Sequence, residues 1–235
     1  MNPRSVIIRP VISEKSYALL NANKYTFRVH DDATKPQVRQ AVEGMDVIIH
    51  LGAYPNPADF LDVLLHPNVI GLYHICDAAR EFGVKRLSLA SSVQTIMGFG
   101  WPDRLLRMEE GVRPTNHYAL TKVWAEEMGH MYARVYDLSV VNVRIGWLPR
   151  DPGEAETLKA SRFGRDVFFS HDDAARFYER VVESPTPAPG ESVTLFAISK
   201  AKYLERLDME PARRVLGYVP QDVWPEGLPF AVENP

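Results

Sequence analysis

Tyr118 and Lys122 stand four residues apart in the stretch Asn116-His117-Tyr118-Ala119-Leu120-Thr121-Lys122. Positions i and i+4 of a helix are neighbours, so a phenol and an ammonium spaced this way can point into one space. A phenol is a poor base at neutral pH, because its ordinary pKa is ~10. A cation fixed beside it favours the phenolate and lowers that value. Tyr118 could then take a proton from a substrate alcohol, or return one. Taken alone, the spacing equally describes a half-buried tyrosine and a solvated lysine. It becomes informative when the chain also supplies a hydroxyl partner and a dinucleotide pocket in the right order.

The elements around the pair have that order. Ala125, Met128, Tyr132 and Val135 recur at spacings of three and four, the apolar face of a helix that begins near Tyr118. Upstream, Asp46-Val47-Ile48-Ile49-His50-Leu51 is a continuous apolar run, as expected for a strand buried on both faces of a parallel sheet. Gly52-Ala53-Tyr54-Pro55-Asn56-Pro57 breaks it, and a helical stretch through Asn68, Leu72, Ala79 and Phe82 follows. Arg86 to Ala90 is a second apolar strand and ends in Ser91-Ser92; Leu138 to Ile145 is a third. Strands alternating with helices predict a doubly wound parallel sheet. In such sheets ligands bind beyond the carboxyl ends of the strands, where Gly52-Ala53 and Ser91-Ser92 fall.

The last third is less regular. Residues 149–166 are polar and read as a long loop. Ser170-x-x-Asp173 is a capping-box pattern that opens a helix of about twelve residues. Glu191 to Ile198 reads as a strand, and Pro211 to Leu216 as a short helix stopped by Gly217. His74 and Cys76, two apart on a helix, do not share a face and are rejected as metal ligands. His171 and Asp172 belong to a helix start, whereas Asn68 is open between a cap, a turn and a backbone contact near the site.

Bulk properties set the class. The chain has 235 residues, 46% hydrophobic and 24% charged, a globular balance for one α/β domain or two small ones. The formal net charge of −3 argues against a nucleic-acid binder as a whole. Residues 1–43 run the other way, with seven Lys/Arg against four Asp/Glu. A single cysteine, Cys76, excludes an intrachain disulfide. No apolar run approaches the ~18 residues of a membrane span. These features predict a soluble cytoplasmic protein.

The first 43 residues have a β-α-β-α pattern: Ser5 to Ile8, a helix capped by Ser13, Lys24 to Val29, and a helix opened by Thr34-x-x-Gln37. Arg9-Pro10-Val11-Ile12-Ser13-Glu14-Lys15-Ser16 and Asn23 to Val29 resemble the start of the twenty-third large-subunit ribosomal protein. That family is a small α/β protein that binds ribosomal RNA at the peptide exit. The likeness stops near residue 43, and the family's later strands and basic loop are missing.

From Gly44 to about Gln221 the chain instead resembles the extended short-chain dehydrogenases, the NAD-dependent epimerase/dehydratase group, and within it the uronate dehydrogenases. The stretches that carry this are His50-Leu51-Gly52-Ala53, Asn68-Val69-Ile70-Gly71, Ala90-Ser91-Ser92, Tyr118-x-x-x-Lys122, Val143-Arg144-Ile145-Gly146, Phe169 to Asp173, and Leu216-Gly217-Tyr218 with Pro220-Gln221-Asp222. The resemblance implies a Rossmann-like α/β fold and an NAD-dependent oxidoreductase acting on a sugar or sugar acid. Tyr118 would be the general base. Lys122 would hold the nicotinamide ribose and lower the tyrosine pKa, and Ser92 would bond the substrate oxygen. Leu51, Gly52, Ala53 and Ile145 would contact the cofactor, and Arg162 on the long loop is open between a grip for a substrate carboxylate and a solvated loop arginine. Trp147 departs from the pattern, standing where uronate enzymes have a small polar residue.

The larger departure is at the front. The family opens with a glycine-rich turn that cradles the pyrophosphate, then an acidic residue for the ribose. Residues 1–43 contain no glycine. The chain therefore reads as a chimera: residues 1–43 ribosomal-protein-like, residues 44–235 dehydrogenase-like, with the first β-α-β-α replaced. The graft is expected to complete the sheet beside Val47 to Leu51. With the ribose-reading segment absent, NAD and NADP are not distinguished, and a homodimer stays open. The alternative is a non-enzymatic protein whose N-terminus contacts ribosomal RNA.

Overall fold

The computed structural model describes residues 42–232, together with Pro36 and two short strands, β1 (Ile7–Pro10) and β2 (Phe27–Val29). The helices expected after Ser13 and Thr34 lie outside the described residues, apart from Pro36 and Val42.

Four strands, β3 (Val47–His50), β4 (Arg86–Ser92), β5 (Ser139–Ile145) and β6 (Ser192–Ala197), form a parallel sheet in that spatial order. This is the Rossmann-like α/β architecture expected from the alternating pattern. Two helical segments cover one face. The first runs as a wide-turn helix over Phe60–Ile70 and continues as α1 (Gly71–Glu81). The second is α2 (His117–Tyr136). Leu72, Cys76 and Ala79 of α1 meet Leu87 and Leu89 of β4 and Met128, Tyr132 and Ala133 of α2 there. The other face carries α4 (His171–Glu183) and α5 (Glu210–Leu216), with Phe177, Val181 and Leu216 packed on Val141, Val143 and Leu195. Successive residues of β5, Val140 and Val141, point to opposite faces, so the strand is buried on both. No helix among the described residues is long and apolar enough to cross a membrane.

Four expectations need correction. First, β1 and β2 do not extend the sheet: they pair antiparallel with each other as a separate two-stranded sheet. Pro10, which lacks an N–H, fits a strand at an edge. Second, among the described residues β3 is the outer strand of the parallel sheet, and Val47 to His50 are half-buried rather than buried on both faces. Third, the polar stretch 149–166 contains a helix, α3 (Pro152–Ala160). Its start is written in the residues: Asp151 caps it through its carboxylate on Glu154 N, and Pro152 occupies the first turn. Fourth, Val135 is 56% exposed. At 3.6 residues per turn the buried stripe of α2 passes through Ala125, Gly129, Tyr132 and Ala133 and leaves Val135 outward.

Candidate active site

Helix α2 begins where the sequence places it. Asn116 caps it, its Oδ1 accepting from Ala119 N at 2.8 Å. Gly129 lets the helix lie close on the sheet: a Cβ there would stand 2.4 Å from Asn142 Oδ1 of β5. Three residues on one stripe, Tyr118, Lys122 and Glu126, then face three successive residues at the carboxyl end of β4. The Lys122 ammonium donates to Ala90 O at 3.0 Å. Ser91 Oγ donates to Glu126 Oε1 at 2.5 Å. Ser92, the next residue of the strand, acts on the Tyr118 phenol in the direction that favours its ionised form. Strand and helix are stitched together at the positions where the sequence predicts a hydroxyl partner, a base and a cation.

Further bonds hold this seam. Asn116 Nδ2 donates to Gln94 Oε1 at 3.1 Å, while Gln94 N donates to Ser92 Oγ at 3.2 Å, linking the helix cap to the serine. Asn68 resolves in favour of the backbone contact. Its Oδ1 accepts from Tyr54 N at 2.7 Å, and its Nδ2 donates to Tyr54 O and to Thr121 Oγ1, each at 3.1 Å. Thr121 Oγ1 donates in turn to Tyr118 O at 2.7 Å. The loop after β3 is thereby pinned to the helix that carries the tyrosine.

The electrostatics differ from the simple expectation. Burial pushes the Tyr118 phenol above its usual pKa; the Ser92 hydrogen bond and the charge of Arg150 work against that rise. Lys122 Nζ lies over the tyrosine ring, 5.6 Å from the centroid, and turns to Ala90 O. Burial lowers Lys122 to about 8. Burial and then the Lys122 charge lower His50, at the end of β3, to about 4. Lys122 spends one N–H on Ala90 O and has no other protein acceptor among the described residues, so it keeps donors for a diol such as a ribose. Leu51 and Gly52 are exposed at the end of β3, and Ala53 and Ile145 are half-buried. These residues fit the nicotinamide-ribose half of a dinucleotide.

Two groups escaped the sequence reading. Glu126 and Arg144 form a bidentate pair, Nε to Oε1 at 2.9 Å and Nη2 to Oε2 at 2.8 Å, with both side chains 5% exposed. The available signals were a charge inside the apolar strand Ser139–Ile145 and a glutamate one turn beyond Lys122. Removing one partner strands the other charge in the core, which typically costs ~3–5 kcal/mol. Glu126→Ala should therefore lower urea-unfolding stability by about that amount, whereas Glu126→Leu with Arg144→Met should lose much less.

The second group is Arg150, whose charge reaches Tyr118. Arg162, the predicted carboxylate grip, instead points outward with its side chain 74% exposed, 3.8 Å from Asp103 and over the Phe163 ring. Trp147 is half-buried, packed on Phe168 and Trp224 and on the Val93, Ile96 and Phe196 cluster. A separate groove of about 490 Å³ lies at the amino end of β6, lined by Thr186, Glu191, Ser192 and Arg214 among others. It sits at the opposite end of the sheet from Tyr118.

Several known proteins are similar to this chain. L-arabinose 1-dehydrogenase (NAD(P)(+)) of Haloferax volcanii is 30% identical over 198 residues, 78% of this chain and 77% of that protein. Uronate dehydrogenase of Pseudomonas putida is 33% identical over 192 residues, covering 82% of this chain and 66% of the enzyme. A mutant uronate dehydrogenase from Agrobacterium tumefaciens, crystallised with NAD, superposes with a TM-score of 0.70 at 28% identity, over 83% of this chain and 68% of that one. A 42-residue segment, 18% of the chain, is 62% identical to large ribosomal subunit protein uL23 of Frankia alni and covers 43% of it. The NAD dependent epimerase/dehydratase family matches residues 9–148, beginning well before Gly44, where its motifs are first recognisable in the sequence. With that match over more than half its length, the chain belongs to the NAD dependent epimerase/dehydratase family.

Proposed function

We propose that this protein is an NAD-dependent oxidoreductase that oxidises an alcohol carbon of a sugar or sugar acid, with a uronate as the favoured substrate. The observation that carries this reading is the seam of Ser92, Tyr118 and Lys122 at the carboxyl end of β4. NAD supplies the hydride acceptor when bound. Ser92 orients the substrate hydroxyl. Tyr118, as phenolate, takes the hydroxyl proton while the adjacent carbon loses hydride, and the C–OH becomes C=O. Lys122 holds the ribose through its uncommitted N–H donors. The reading also includes weak cofactor binding, because the front of the chain lacks glycine.

The test is NADH formation by the purified full chain at millimolar NAD, with glucuronate, galacturonate and arabinose as substrates. Turnover is expected, faster with the uronates. If no NADH appears with any of the three, the oxidoreductase reading falls. A second reading, contact with ribosomal RNA through the first residues, rests on the uL23-like segment and its excess of basic residues. Salt-sensitive retention on ribosomal RNA in a chain that makes no NADH would favour it.

A further inference from the structure

Arg150 sits three residues after Trp147 on the segment leaving β5, and its head group is held from several sides. Its Nε donates to Glu154 Oε2 at 3.0 Å, and Nη2 bonds the second oxygen of the same carboxylate. Its backbone N donates to Glu154 Oε2 as well, at 2.9 Å. Glu154 lies in the first turn of α3, fixed by the Asp151 cap. On the other side lies the Asn56 amide; assigned with its oxygen toward the guanidinium, the orientation its neighbours require, it accepts from Nη2 at 3.1 Å. The carbonyl of the preceding residue, Pro149, meets His171 Nε2 at 2.8 Å, tying the segment to the start of α4. Arg150 thus joins the loop after β3 to the segment after β5, the two loops that border the Tyr118 site.

The Nη1 edge takes no part in these bonds and has no protein acceptor among the described residues. The side chain is 45% exposed, so that edge is reachable from solvent. A guanidinium with one edge fixed and one edge open offers a preset fork to an oxyanion. The loop that carries Asn56 is pinned by Tyr54, Asn68 and Thr121 to the helix turn of Tyr118, which sets the fork on the border of that site, and the charges of Arg150 and Tyr118 act on each other. Arg162 has none of these features: it is more exposed, is held only by a long ion pair and a ring contact, and has no coupling to Tyr118.

We propose that Arg150, rather than Arg162, binds the anionic group of the substrate, the carboxylate of a sugar acid or the phosphate of a sugar phosphate. This rests on the reading of the Tyr118 site as a sugar oxidoreductase and narrows its substrate class. Glu154 and Asn56 are the positioning residues that aim the fork. The free cationic edge would favour a charged sugar over a neutral one.

Equilibrium binding separates this from turnover. Calorimetry with saturating NADH present would use glucuronate, glucose 6-phosphate and arabinose against the full chain, Arg150→Gln, Arg150→Lys and Arg162→Gln. Arg150→Gln is expected to weaken the anionic sugar about ten- to a hundredfold and leave arabinose unchanged, with partial recovery in Arg150→Lys. Loss confined to glucuronate identifies a carboxylate, and loss confined to glucose 6-phosphate identifies a phosphate. The proposal is overturned if the loss appears in Arg162→Gln instead. It is equally overturned if Arg150→Gln weakens arabinose as much as the anions, or if the wild type binds no anionic sugar better than arabinose. NADH formation is read separately. A chain that binds a uronate through Arg150 but forms no NADH fails only the oxidoreductase reading. A chain that oxidises arabinose and ignores charged sugars fails only the Arg150 assignment.

Discussion

Tyr118→Phe should lower turnover by about 10²–10⁴-fold, the range that a positioned general base contributes. The substitution removes one oxygen from a side chain that is 6% exposed, so packing on the helix is retained. Affinity for NADH should change little, because Lys122, which is assigned to the ribose, keeps its bond to Ala90 O. A fall in rate accompanied by an equal loss of NADH affinity would mean that Tyr118 serves the binding surface and not the chemistry. The pH profile gives a second check. Burial raises the phenol above its usual value, so the phenolate fraction at neutral pH is small and grows as pH rises. The rate of the wild type should climb through the alkaline range, and Tyr118→Phe should flatten that climb. Arg150→Gln should move the rise to still higher pH, since one of the two influences that oppose burial is then gone.

Replacing residues 1–43 by a glycine-rich dinucleotide-binding start should tighten NADH binding by about two to four powers of ten. The dinucleotide pyrophosphate is doubly charged, and holding it away from water without backbone donors is costly. Family members meet this with a turn whose glycines allow close backbone approach, at the positive end of a helix dipole. Here β1 ends in Arg9-Pro10, and Val11-Ile12 follow in the chain. Proline has no N–H, and β-branched residues resist the positive φ values such a turn can use. Strand β1 also pairs antiparallel with β2, in a sheet separate from the four parallel strands. It is therefore not the parallel strand at whose end a dinucleotide cradle forms. Loss of two charge-assisted hydrogen bonds at roughly 1.5–3 kcal/mol each accounts for the expected factor. Calorimetry of both proteins with NADH decides it, and micromolar affinity in the unaltered chain would show that its own N-terminus provides a phosphate site.

Much of the fold is readable from short-range pattern. The apolar runs at Val47, Arg86, Leu138 and Glu191 become the four parallel strands within one or two residues of their expected bounds. The caps are equally local: Asn116, Ser170 and Gly217 each mark a helix end through groups a few residues away. A missed α-helix, α3, carried the same kind of signal in Asp151-Pro152, overridden by the polarity of its surroundings. Tyr118 and Lys122 are likewise a local feature, since an i, i+4 pair needs only the helix on which it rides.

What residue order does not contain is the partner across the sheet. Ser91 meets Glu126 across 35 residues, and Arg144 meets it across 18. Neither contact has a periodicity, because each depends on where a crossover helix lands on the strands. The same is true of the cations. Arg150 and Arg162 look alike in a polar stretch, yet Glu154 of α3 holds one beside Asn56 and the other is left in solvent. Pairing of β1 and β2 with each other rather than with β3 is also a long-range choice, since an apolar run specifies a strand but not its neighbour. Local sequence thus set the elements and the chemical groups on them. Tertiary packing decided which charges were buried together, which way the phenol's pKa moved, and which arginine stands near the base, because burial and distance exist only once the chain has closed on itself.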